Sequence, residues 1–155
     1  MKKLALLLGM TAVLAWPGSP ATAADAAADV TAEVQKGIKA YNDHDLSYFE
    51  ATLAPDAVYI ADDGATFAGR ERILGLFKRV FAMTPARSIT PVGDVAVGSR
   101  GDVAWARFKY TLSAGENARG IVGTTLLAKA DGRWQVLQIQ NTRDGHASPA
   151  GHGDH

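Results

Sequence analysis

The sequence predicts an α+β domain in which three helices precede a long antiparallel meander. Three observations carry this reading. Apolar residues recur at helical spacing in three blocks before residue 82. After residue 86 the apolar period changes to two, the period of strands that bury one face. Turn signals at Ser99-Arg100-Gly101-Asp102, at 113–118 and at Asp131-Gly132 then divide the remainder into four strands. With 155 residues, 47% apolar and 21% charged, the chain suits one domain with its own core and is neither disordered nor low in complexity.

The N-terminus reads as an export signal. Lys2 and Lys3 form a positive start, an apolar run covers 4–15, and Trp16-Pro17-Gly18-Ser19-Pro20 breaks it. Ala21-Thr22-Ala23 then offers small residues for cleavage. The expected division is a signal peptide over 1–23, a domain over 24–144 and a disordered Gly/His tail over 145–155. The cut falls after Ala23 or one or two residues later, and the mature protein is periplasmic or secreted. The twelve-residue run is short for a bilayer span. The absence of Cys excludes a lipid-anchored N-terminus, a disulfide, a thiolate nucleophile and Cys-ligated metal. Lys+Arg and Asp+Glu both number 16, and losing Lys2 and Lys3 leaves a mature net charge of −2. That balance argues against nucleic-acid binding.

The first helix carries Val30, Val34, Ile38 and Tyr41 on one face, with Asp29 or Thr31 as its cap. Asn42-Asp43-His44-Asp45 ends it, and Asp45 caps a second helix with Leu46, Phe49 and Leu53 inward. Ala54-Pro55-Asp56 stops that helix, a short strand covers 57–61, and Asp62-Asp63-Gly64 turns the chain. The third helix starts near Gly69-Arg70, with Ile73, Leu76, Phe77, Val80 and Phe81 at helical spacing. Thr84-Pro85 ends it. The strands are expected at 87–98, 103–112, 119–130 and 133–142.

Pairing outward from each turn sets the register. It places Asp94 opposite Arg107, Trp105 opposite Leu126, and Leu126 opposite Leu137. One face then holds Val95, Val97, Ala104, Ala106, Phe108, Tyr110, Ile121, Gly123, Thr125, Leu127, Trp134, Val136, Gln138 and Gln140. It is the more apolar face and should meet the helices. The opposite face holds Asp94, Ala96, Trp105, Arg107, Lys109, Val122, Thr124, Leu126, Gln135, Leu137, Ile139 and Asn141.

Ala40-Tyr41-Asn42-Asp43-His44-Asp45-Leu46 resembles the helix–helix corner "A-x-N-x-x-D" of the nuclear transport factor 2-like superfamily. Leu53-Ala54-Pro55-Asp56-Ala57-Val58 resembles its "F-A-x-D-A-V". Phe67-Ala68-Gly69-Arg70-Glu71-Arg72-Ile73 resembles its "G-R-E-x-I". Asp131-Gly132-Arg133-Trp134, with Gln140-Asn141-Thr142, is similar to the SnoaL-like group and within it to the SgcJ/EcaC family. The resemblance covers about 29–144. It implies a cone-shaped, curved antiparallel sheet packed on three N-terminal helices, open at one end to a small-molecule pocket.

With the inward register, Tyr41, Tyr59, Tyr110, Thr125, Gln138 and Gln140 are the candidate ligand-pocket residues. They supply hydrogen bonds but no strong acid or base. The resemblance implies two functional classes. One is a cofactor-free isomerase, cyclase or hydratase acting on a hydrophobic carbonyl compound. The other is a non-catalytic binding or dimerisation module. In the superfamily's steroid isomerases a carboxylate on the first strand removes the proton, and that position falls on Ala61 here. Their oxyanion-hole tyrosine falls near Gly37. Both departures weigh against steroid isomerisation, and the catalytic residues are unassigned. Asp62 and Asp63 read as turn residues, His44 as a corner residue, and Arg100-Gly101-Asp102 as a hairpin turn. No phosphate loop or dinucleotide fingerprint is present, so no cofactor is expected. No metal site is expected either, the tail residues His146, His152 and His155 lying on no regular element. Trp105, Leu126, Leu137 and Ile139 are expected to form an uncovered apolar patch on the convex face and to pair two copies into a homodimer.

Overall fold

The computed structural model describes residues 22–145. Most of the expected signal peptide, and the tail beyond Gly145 with its three histidines, lie outside the described residues.

Helix α1 spans Ala23–Asn42 and begins earlier than the apolar period indicates. Thr22 caps it: its hydroxyl accepts from the Asp25 N–H, and the Asp25 carboxylate accepts from the Thr22 N–H. The first turns are alanine-rich, so they form helix by propensity rather than by burying a face, and Val30 is the first fully buried residue. Helix α2 is Leu46–Thr52, with Asp45 accepting from the N–H groups of Ser47 and Tyr48. Leu53 opens strand β1, Leu53–Ile60, instead of closing α2. Strand β2, Thr66–Ala68, is too short to show an alternation in sequence. Helix α3 is Arg70–Phe81. Strands β3 (Arg87–Arg100), β4 (Val103–Ala114), β5 (Asn117–Ala130) and β6 (Arg133–Arg143) form the meander.

The six strands form one open, curved sheet in the order β2-β1-β6-β5-β4-β3. Every pairing is antiparallel except that of β1 with β6. The register of β1 on β6 shifts between Leu53 and Val58, and that irregular stretch accommodates Pro55, which has no N–H to donate.

The sequence register holds for β4 and β5, where Trp105 sits opposite Leu126 along an unbroken ladder. On β3 the pairing near the turn is displaced by two residues, Ala96 standing opposite Arg107, and an irregularity lies between Val92 and Ala96. An even displacement leaves the faces unchanged. On β6 the displacement is odd. Leu127 pairs with Val136, but Leu126 pairs with Gln138, so Leu137 is bulged out of the ladder. Everything beyond it changes face: Ile139 and Asn141 turn to the concave side, while Gln138 and Gln140 turn to the convex side.

The concave face packs against the helices in two clusters. Val30 and Val34 of α1 meet Ala104, Ala106 and Leu127. Tyr41, Phe49, Ile73, Phe77 and Val80 meet Leu53, Tyr110, Leu112 and Ile121. The corner motifs prove to be structural. Asn42 hydrogen-bonds both backbone groups of Ile89, accepting from its N–H at 2.7 Å and donating to its carbonyl at 2.8 Å, which pins α1 to edge strand β3. His44 adopts φ 58° and stacks on Phe81. Arg70 Nε donates to the Leu53 carbonyl at 3.0 Å and ties α3 to β1. On the convex face Trp105 lies against Gly98, where a Cβ would fall 2.2 Å from the indole.

Candidate functional site

Between the concave face and the helices lies a cavity of about 280 Å³. Its body is apolar, walled by Ile38, Phe49, Phe77, Phe108, Leu127 and Ile139 among others. Of the six pocket residues expected from sequence, Tyr41, Tyr59, Tyr110 and Thr125 line it. Gln138 and Gln140 do not. The bulge at Leu137 carries both to the convex side, where Gln138 Nε2 lies 3.4 Å from Gln140 Oε1. A one-residue bulge in a strand without Gly or Pro leaves no mark on its alternation, and the sequence register missed it for that reason.

Asn141 replaces them. It is 8% exposed. Its Oδ1 accepts the Tyr110 phenol proton at 2.8 Å, and its Nδ2 donates to the Ile60 carbonyl at 3.3 Å. The amide thereby ties β6 to its neighbour β1 and, across β5, to β4 at the cavity wall. Gly123 leaves the space that Tyr110 and Phe108 fill; a Cβ there would lie 3.1 Å from the Tyr110 ring.

Burial raises the pKa of Tyr41, Tyr59 and Tyr110, so each phenol keeps its proton at neutral pH. Tyr110 spends that proton on Asn141. The Tyr59 hydroxyl hydrogen-bonds Asn141, and the Tyr41 hydroxyl hydrogen-bonds Arg87; a guanidinium only donates, so the Tyr41 proton is left for a guest.

The lip is charged. Arg119 grips Asp62 in two-point fashion, Nε to Oδ2 at 2.8 Å and Nη2 to Oδ1 at 3.1 Å, and Arg143 Nε reaches the same Oδ2 at 3.1 Å. Arg87 lines the cavity beside them. Burial pushes the Asp62 carboxyl up, but the hydrogen bonds and charges of Arg119 and Arg143 together outweigh it and hold the group below its ordinary value. Asp62 is therefore more than the turn residue that the sequence suggests. Arg119 was legible in principle: it shares the strand parity of Ile121 and so points inward with it.

A carboxyl whose folded pKa is depressed stabilises the fold above its unfolded value, near 3.9. That contribution is lost as pH falls through the lower folded value. Between about pH 7 and pH 2.5, urea unfolding should show wild type losing more stability than Asp62→Asn. Equal losses would mean that the arginines do not perturb Asp62.

No group of three metal-ligating side chains occurs among the described residues. His44 lies on Phe81 at the helix corner and is not among the cavity-lining residues.

A helix-backed open sheet with its cavity on the concave side is the architecture of nuclear transport factor 2-like proteins. The family model for the SnoaL-like domain matches residues 30–141, and the chain belongs to that family. Among solved structures, one similar protein is a Streptomyces avermitilis member of the NTF2-like family called a "putative dehydratase". It has 15% identity and a TM-score of 0.71, covering 79% of this chain and 99% of that one. An NTF2-like protein of unknown function from Pseudomonas putida has 19% identity and a TM-score of 0.68, covering 81% and 94%. An uncharacterized cystatin-like protein from Caulobacter vibrioides has 16% identity and a TM-score of 0.69, covering 77% and 90%. At these identities the likeness is one of fold. No curated protein matches the chain.

Proposed function

We propose that this chain is an exported SnoaL-like protein, of the SgcJ/EcaC type, whose cavity binds a hydrophobic molecule through a carbonyl-type oxygen. The observation that carries this is the pairing of an apolar cavity with two proton-bearing phenols on its wall, Tyr41 beside Arg87 and Tyr59 beside Asn141. A few hydrogen-bonding groups set in an apolar cavity are what fixes the orientation of a bound guest. Native mass spectrometry of protein from its own cells should show a bound small molecule. Thr125→Trp, which fills the cavity, should remove it. An empty protein, or an adduct that survives Thr125→Trp, would overturn the reading.

A catalytic form of this function is favoured by Asp62, which is held ionised at the lip of the same cavity. Its lowered pKa suits it to orient a water rather than to carry a proton, without a cofactor, and the phenols would stabilise the developing oxyanion. If Asp62→Asn carries an unconverted precursor of the wild-type adduct, the chain is an enzyme. Identical adducts mean binding alone.

Export rests on the Lys2-Lys3, apolar-run and Ala21-Thr22-Ala23 pattern. Cleavage after Ala23 would remove the Thr22 cap of α1 but none of its buried contacts, which begin at Val30. The periplasm or the medium is the proposed location.

A homodimer through the convex face remains part of the proposal, with a revised patch. Ile139 lines the cavity and Leu137 packs on the core cluster, so neither belongs to it. Trp105, 42% exposed, stays opposite Leu126, and Val103 is exposed beside them. Sedimentation equilibrium should give a dimer that Trp105→Glu splits without unfolding. A monomer at tens of micromolar would sink the interface.

A further inference from the structure

Three guanidiniums, those of Arg87, Arg119 and Arg143, reach the lip of the cavity from three different strands. Two carboxylates line the same cavity. Asp62 is held by Arg119 and Arg143, and Asp63 is committed to its own turn, accepting from the Ala65 N–H at 3.0 Å. Arg87 forms no salt bridge among the described residues. It sits half-buried on β3, hydrogen-bonds the Tyr41 hydroxyl, which leaves its charge unneutralised, and acts electrostatically on the phenol of Tyr59. Positive charge is therefore in excess where an apolar cavity meets solvent.

The lip already shows which anion geometry it accepts. Arg119 takes both oxygens of the Asp62 carboxylate, one per nitrogen, and a planar guanidinium fork is matched to a planar carboxylate. The cavity body has no charged side chain, so only the head of a guest can carry charge.

From these observations we propose that the ligand is an amphipathic carboxylate, its apolar body in the cavity and its carboxylate at the lip on Arg87, within reach of the Tyr41 hydroxyl. This inference rests on reading the cavity as a ligand site and adds the charge of the ligand. The neutral carbonyl of the broader reading becomes one oxygen of an anion, and Arg87 becomes the residue that selects it. Asp62 keeps Arg119 and Arg143 occupied, which leaves Arg87 as the specific contact.

The test uses two probes of nearly equal shape, 2-naphthoate and its uncharged methyl ketone analogue, 2-acetylnaphthalene, titrated calorimetrically into the purified protein. The carboxylate should bind at least about tenfold more tightly, the ratio that one charge-assisted contact of about 1.4 kcal/mol supplies. Added salt should narrow that ratio. Arg87→Gln should abolish the preference while changing ketone binding less than about twofold. The wild-type comparison stands even if the variant folds poorly. Ketone binding equal to naphthoate binding would overturn the inference and leave the cavity reading intact. A preference that survives Arg87→Gln in a folded variant would overturn the role of Arg87. Failure of both probes to bind would overturn the cavity reading and this inference with it.

Discussion

Replacing Phe77 with alanine is expected to lower stability by about 3–5 kcal/mol, the range for emptying a buried aromatic site. Phe77 is 2% exposed and is the hub of the aromatic cluster. Its ring meets Phe49 at 4.6 Å, Tyr59 at 5.4 Å, Phe81 at 5.8 Å and Tyr41 at 6.1 Å. Those partners lie on α2, β1, α3 and α1, so one ring holds all three helices against the sheet. A domain of this size has about 5–15 kcal/mol in total, and the variant should sit near the edge of folding. It should also lose ligand, because Tyr41 and Tyr59 are oriented by edge-to-face contact with this ring. Phe77→Leu keeps most of the volume and should cost distinctly less. Urea unfolding measures both. A loss below about 1 kcal/mol for Phe77→Ala would show that the cluster is not what joins the layers.

Much of the fold was legible because its signals are local and repeated. The helical spacing of Ile73, Phe77 and Val80 in α3 and the alternation of Ala104, Ala106, Phe108 and Tyr110 in β4 both reappear as burial. The Asp131-Gly132 turn fixed the start of β6 correctly, since Ala130 pairs with Arg133. What failed was propagation along that strand. Val136, Leu137 and Ile139 are all apolar, so the pattern cannot report which of them is bulged, and the odd displacement there sent Gln138 and Gln140 to the wrong face. The parallel pairing of β1 with β6 was hidden for a related reason: no short turn joins the two strands, so nothing in the sequence sets their register. The Asp62–Arg119–Arg143 cluster joins residues from three parts of the chain. Each alone reads as a turn or surface charge. The corner motifs around Asn42 and Arg70 were visible, and their hydrogen bonds to Ile89 and Leu53 show that they specify architecture rather than chemistry.

The second large effect concerns Asn141, and its sign depends on Tyr110. Asn141→Leu should cost about 2–3 kcal/mol, since it leaves the buried Tyr110 hydroxyl without its acceptor and the Ile60 carbonyl without its donor. Tyr110 is 6% exposed, so water reaches the orphaned hydroxyl poorly. Tyr110→Phe in the wild-type background should cost about 1 kcal/mol, the usual net loss of one hydrogen bond. In the Asn141→Leu background the same change should cost nothing or stabilise, because it removes a buried hydroxyl that no longer has a partner. The coupling between the two sites is then about 1 kcal/mol or more. Urea unfolding of wild type, both single variants and the double variant closes the cycle. Additive effects would mean that the Asn141 amide is replaced by solvent when it is lost and that the cavity wall is wet at this point. A reversal of sign for Tyr110→Phe would show that the 2.8 Å hydrogen bond is made in a dry wall. A dry wall is also the environment in which the Tyr41 and Tyr59 phenols hold their protons for a guest.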